Sequence, residues 1–174
     1  MINEKRIQEA ENNVRIYLQD GLLRKQSFKK EIFIILKRNA HESLETSQFV
    51  NVNNKSDMWT IITSYYATYY IANAALYKLG YKVGTKISHK VTADALLVFV
   101  RNKLKTSLLE EFEELQKEAL AGIKADSVLE NFDYERKKRN LIQYETTSIE
   151  KHTKAITSLQ RAKEFVFEME KILL

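Results

Sequence analysis

The chain has no cysteine and no proline, and only 4 glycines in 174 residues. Without cysteine there is no disulfide framework, no thiolate nucleophile and no cysteine-bound zinc. Without proline, and with so little glycine, the usual turn chemistry of an all-β sandwich or barrel is missing. Long apolar runs are missing too. The longest, Ile32–Leu36 and Ala95–Val100, fall well short of the roughly 18 unbroken residues of a membrane span, so no membrane association is expected. The opening residues Met1–Arg6 run into charge instead of the apolar stretch of a signal peptide. A hydrophobic content of 44% argues against disorder. The expectation is one helical domain spanning residues 1–174, located in the cytoplasm.

Charge is present in blocks. The formal sum is +5, from 28 Lys+Arg and 23 Asp+Glu. Between Lys78 and Lys105 stand seven basic residues and a single acid, Asp94. Between Thr106 and Glu135 stand nine acids and two lysines, and then comes Arg136-Lys137-Lys138-Arg139. Such alternation fits a polyanion site beside solvated helix faces, self-complementary assembly, or ordinary helix surface.

Hydrophobic periodicity predicts an up-and-down all-α bundle of five to six helices, with short loops making neighbours antiparallel. The first helix covers about Glu4–Leu18, with Ile7, Ala10, Val14 and Tyr17 on one face, and is closed by Asp20-Gly21. The second covers about Ser27–Phe49, before a loop at Asn51–Asn54. The third begins at a Ser56 or Asp57 cap and runs to Leu79 before Gly80. Its seam is Trp59, Ile62, Tyr66, Tyr69, Asn73 and Leu76, and its alanines predict burial on more than one side. Tyr81–Ile87 reads as a basic connection, and Ser88 as the cap of a fourth helix reaching about Leu104. A fifth helix, Leu108–Ala121, is expected to end or bend at Gly122, and a further segment runs from about Ser127 to Tyr144. Thr147 and Glu150 form a capping box for a last helix of about 26 residues. Its core face is Ile149, Ile156, Leu159, Ala162, Val166, Met169 and Leu173.

Little in the pattern speaks for a metal, and no cofactor is expected. His41, His89 and His152 are far apart, Asp126–Asp133 lacks the ligand order of a calcium loop, and the acidic helix has no Glu-x-x-His partner. Gly80 and Gly84 are isolated, so there is no glycine-rich phosphate loop. His89 reads most simply as a residue of the first turn of the fourth helix. The segment that can carry chemistry is Tyr134–Glu145. There Arg136, Lys137, Lys138 and Arg139 offer cationic groups to phosphate, Arg139 through a planar fork. Asn140 can donate to a phosphate or ribose oxygen, and Tyr144 follows five residues after Arg139. A solvated basic helix surface closed by a tyrosine is the competing reading.

The ordered set of motifs resembles HEPN domains, the higher eukaryotes and prokaryotes nucleotide-binding family. Ser64–Tyr81 looks like the family's tyrosine–alanine helix, and Ser88-His89-Lys90 like the start of its next helix. Arg139-Asn140-x-x-x-Tyr144 falls where the family carries Arg, a polar residue, three variable positions and His. The resemblance runs from about Val14 to the end of the chain, and is closest to stand-alone archaeal and bacterial members. It implies a helical bundle that dimerises through its signature helices. It also implies RNA or nucleotide binding, and in many members metal-independent endoribonuclease activity as a toxin paired with a minimal nucleotidyltransferase antitoxin.

Carried over by position, Arg139 takes the phosphate, Asn140 the polar support and Tyr144 the place of the His. That last departure matters. A phenol has a pKa near 10 against about 6.5 for imidazole, so a neutral Tyr144 is a poor general base at neutral pH. The residues therefore leave open a slow or differently built nuclease, a site that binds RNA or nucleotide without cutting, and a tyrosine that is itself adenylylated by the antitoxin. An inactive helical adaptor that docks a nucleotidyltransferase or another protein is the rival from a different class.

Overall fold

A computed structural model describes residues 2–131 and 144–174, with side chains over 2–121, 123 and 151–174. It is an all-α helical bundle. The helices are α1 (Glu4–Gln19), α2 (Lys30–Val52), α3 (Asp57–Lys78), α4 (Ser88–Phe99), α5 (Thr106–Asn131) and α6 (Tyr144–Leu173). A short 3-10 turn, Arg101–Lys103, separates α4 from α5. Two three-residue strands, β1 (Leu23–Lys25) and β2 (Tyr81–Val83), complete the described elements.

At the centre lies α3, packed against α2 on one side and α6 on another, with α5 and α4 closing further sides; α1 packs on α4. Its sequence allows this. Ala67, Ala72, Ala74 and Ala75 keep parts of the surface flat, while Tyr65, Ile71, Leu76 and Tyr77 fill the space between neighbours. Small residues also let α2 come close: Ser47 donates to the Thr60 carbonyl at 2.9 Å and shares a hydrogen bond of 2.7 Å with Ser64. These three hydroxyl residues are fully buried, and the mutual bonds remove the cost of leaving them unpaired. Phe112 and Phe165 stack at 5.3 Å where α5 meets α6. Buried apolar side chains from each of the six helices join in one contiguous cluster.

Several expected boundaries move. Ser56 does cap α3, accepting from the Trp59 N–H, but Trp59 itself is 50% exposed and drops out of the expected seam. α2 starts at Lys30 instead of Ser27 and continues through Asn51 and Val52, so the loop shrinks to a turn at Asn53-Asn54, with Asn54 at φ 48°. Ser88 is the first helical residue of α4, not its cap. The cap position falls on Ile87, held in the left-handed region at φ 45°, a conformation that costs a branched residue roughly 1–2 kcal/mol. α4 stops at Phe99, short of Leu104. The apolar run that starts at Ala95 is helical through Phe99 and largely buried.

The largest shifts are at the chain's acidic end. α5 passes through Gly122 and reaches Asn131, so the residues around Ser127 are its tail and not a new helix. α6 opens at Tyr144, three residues before Thr147, which places the expected capping box inside the helix. At 30 residues α6 spans about 45 Å. Its buried face keeps Leu159, Ala162, Val166, Met169 and Leu173, but Ile156 is 49% exposed and Ala155 and Ser158 face inward instead.

The small sheet was not anticipated at all. β1 and β2 pair antiparallel, Leu23 opposite Val83 and Lys25 opposite Tyr81, and so join the α1–α2 connection to the α3–α4 connection. Gly84 has to be small here: a Cβ would lie 3.1 Å from the Leu22 carbonyl oxygen, which accepts its N–H at 2.8 Å. Tyr81 then stacks on Phe99 at 4.1 Å, fixing the sheet to the end of α4.

Candidate functional site

Of the residues singled out by the sequence, Arg136, Lys137, Lys138, Arg139 and Asn140 lie outside the described residues. Tyr144 is the first residue of α6, and its side chain is likewise outside them. The segment that carries Arg136–Arg139 therefore connects α5 to α6. The described residues hold two further polar constellations, both on α4.

The first is centred on His89, the second residue of α4. The hydroxyl of Tyr65, buried in the middle of α3, shares a hydrogen bond of 2.7 Å with His89 Nδ1. Gln116 of α5 donates one amide N–H to the Tyr65 oxygen at 3.2 Å and the other to the His89 carbonyl at 2.7 Å. With Gln116 donating to its oxygen, Tyr65 keeps its own O–H to give, which suits an accepting Nδ1 and a ring proton on Nε2. Burial acts in the same direction, lowering the His89 pKa, because taking the ring out of water disfavours the cation. Burial likewise raises the Tyr65 pKa, partly offset by the bond from Gln116. Tyr66 and Tyr69 stand around the ring, Tyr69 at 4.8 Å between centroids. One turn further along, Asn73 donates to Thr92 at 3.2 Å and repeats the α3–α4 link.

The second constellation surrounds Asp94, the lone acid of the basic block. Its side chain is fully enclosed. Oδ2 accepts from Tyr17 at 2.8 Å and from Asn13 at 3.0 Å, both on α1. Oδ1 lies 2.7 Å from Arg6 Nη1. Arg6 in turn donates through Nε to Glu113 of α5 at 2.9 Å, with Nη2 at 2.7 Å from the same oxygen. Desolvation opposes the charge on Arg6, but the bond to Asp94 and the charges of Asp94 and Glu113 outweigh it and raise its pKa. Burial first, then the bond to Asp94, raises the Tyr17 pKa.

Chemically, the His89 group is a neutral donor–acceptor set, whereas the Asp94 group is a structural clamp of opposite charges. Sequence reasoning placed His89 in the first turn of α4 but gave it no partner, and gave Asp94 no role beyond its sign. The usable signal was the isolation of Asp94 among seven basic residues: an acid retained in such a block is a candidate for internal pairing. A cleft between α2 and α3 is lined by Asn39, Ser43 and Thr46 opposite Tyr66 and Tyr70.

Among the described residues there is no group of three or more His, Asp or Glu placed to hold a metal ion. Among them, too, no helix is long and apolar enough to cross a membrane. Comparison with protein-family models, with curated proteins and with solved structures gives no match.

Proposed function

We propose that the chain is a HEPN-type homodimeric protein that binds RNA or a nucleotide through Arg136–Arg139, Asn140 and Tyr144. The observation that carries this reading is the ordered run Arg136-Lys137-Lys138-Arg139-Asn140 with Tyr144 four residues on, between two long helices of an all-α bundle. The tyrosine–alanine helix α3 at the bundle's centre supports it, as does the hydrogen bond between Tyr65 and His89 at the start of α4. Those are the other two motifs on which the resemblance rests. In this reading the guanidiniums and ammoniums bind phosphate, and Asn140 supports them. Cleavage depends on whether Tyr144 can move the proton of a ribose 2′-OH, for which an unperturbed phenol is poorly suited.

Fluorescence anisotropy with a labelled single-stranded RNA, with and without Arg139→Ala, tests binding, and gel analysis of the same mixtures tests cleavage. Binding that weakens in the variant and with added salt is the expected result. A native protein that binds neither RNA nor a nucleotide sinks the reading. Tyr144→His tests the state of the site: new cleavage activity marks a degenerate nuclease, whereas intact RNA leaves the adaptor reading ahead.

An adaptor that docks a protein such as a minimal nucleotidyltransferase is favoured by one specific observation. Phe49, Val52, Trp59 and Phe167 are each at least half exposed, and exposed Trp and Phe are frequent interface anchors. Co-purification with such a partner by a protein that ignores RNA is the outcome that selects it.

A further inference from the structure

We propose a second anion site, for a phosphate group, in the cleft between α1, α4 and α5. It goes beyond the reading above and does not depend on Arg136–Arg139.

The cleft has a volume of about 400 Å³. Lys5 of α1, Lys90 of α4 and Lys117 of α5 line it, so three helices each contribute an ammonium group. All three lysines are exposed, and none is among the ion pairs of the described residues. The carboxylates of the floor are already engaged. Asp94 is held by Arg6, Tyr17 and Asn13, and Glu113 by Arg6. Glu9 is the remaining carboxylate of the lining, and with four basic and three acidic residues the cleft keeps one positive charge in excess.

At the floor Arg6 Nη1 lies 2.7 Å from Asp94 Oδ1 and Nη2 2.7 Å from Glu113 Oε1, so one guanidinium is shared by two carboxylates beneath the lysines. Three like charges converging on one concavity repel each other, and an oxyanion among them reverses the sign of that interaction. Phosphate suits the set: lysines act as mobile point charges around it, each with three N–H donors to offer. Gln116 also holds Tyr65 and His89, so a ligand in the cleft touches the residue that fixes the His89 ring.

Phosphate can arrive on a nucleotide or in an RNA backbone, and nuclear magnetic resonance on the full chain separates the two. Inorganic phosphate, ADP and a short uridine oligoribonucleotide are titrated in turn at low salt. The expected result is a saturable shift of the Lys5, Lys90 and Lys117 amides and of the His89 ring signals with phosphate. ADP or the oligonucleotide, whichever binds more tightly, then identifies the source. The double variant Lys90→Gln/Lys117→Gln should weaken binding by about tenfold or more, whereas Lys117→Arg should retain it. Both replaced side chains are exposed, so the double variant should keep the native circular dichroism and unfolding midpoint. Arg136→Gln/Arg139→Gln should leave the phosphate shifts in this cleft unchanged, even if it abolishes binding elsewhere. Absence of shifts with all three probes, or equal affinity in the double variant, overturns the proposal.

Discussion

The two polar groups on α4 lie one and two turns into the same helix, yet they solve burial in opposite ways. Around Asp94 the charge is kept. A carboxylate with no exposure receives a guanidinium, a phenol and an amide, and three helices are bound together through it. Around His89 the charge is removed. The ring is neutral, its Nδ1 shares a hydrogen bond with the Tyr65 hydroxyl, and the arrangement is closed by a glutamine that has no charge of its own. The lesson is that an enclosed ion needs partners on every side, whereas a half-buried imidazole can give up its charge and keep one nitrogen for other work. The first arrangement fastens α1 to the bundle, and the second ties α3, α4 and α5 together without charge.

Removing the carboxylate should break that comparison most severely. Asp94→Ala leaves Arg6, Tyr17 and Asn13 without their shared acceptor, and loss of one partner of a buried ion pair costs about 3–5 kcal/mol. Urea unfolding should show this loss, with α1 the first element to lose hydrogen-exchange protection. A stability within about 0.5 kcal/mol of native would mean that Asp94 is not the clamp described. A smaller effect is expected from Tyr65→Phe, which deletes one hydroxyl and strands His89 Nδ1 and one Gln116 N–H. That should cost about 1–2 kcal/mol.

The smallest effect separates the two groups by pH. Because burial lowers the His89 pKa, the unfolded chain binds the proton more readily than the folded one. Its contribution to stability is therefore present above about pH 6.5 and is lost as pH falls through that value toward the folded pKa. His89→Gln should flatten that part of the stability profile. Tyr17 and Tyr65 have raised pKa values, so their contribution is present below about pH 10 and is lost above it. A profile through pH 6.5 that is identical in native protein and His89→Gln would contradict the neutral-imidazole description.

The helices themselves were legible because their signals are local. Ile62, Tyr66, Tyr69, Asn73 and Leu76 recur at helical spacing, Ser56 has a backbone N–H three residues ahead to accept, and Gly21 and Gly80 take the positive φ that ends a helix. Boundaries were less legible where two local signals compete. Thr147 and Glu150 fit a capping box, but the helix continues ahead of them; Gly122 can end a helix, but α5 passes through it. The sheet was illegible for another reason: three residues carry no periodicity, and the partner strand is more than fifty positions away.

At the site the division is the same. The basic run into Asn140 and Tyr144 is a property of sequence order, read without any knowledge of folding. That Tyr65, His89 and Gln116 meet is not, since they come from three helices and no spacing links them. Nor could spacing bring Lys5, Lys90 and Lys117 to one cleft. By itself the sequence determined an all-α bundle and the residue types available to it, because helix formation and composition act over a few neighbouring positions. Only the tertiary structure decided which polar groups are enclosed, which are neutral and which cations converge, because desolvation and charge pairing depend on what the other helices bring alongside.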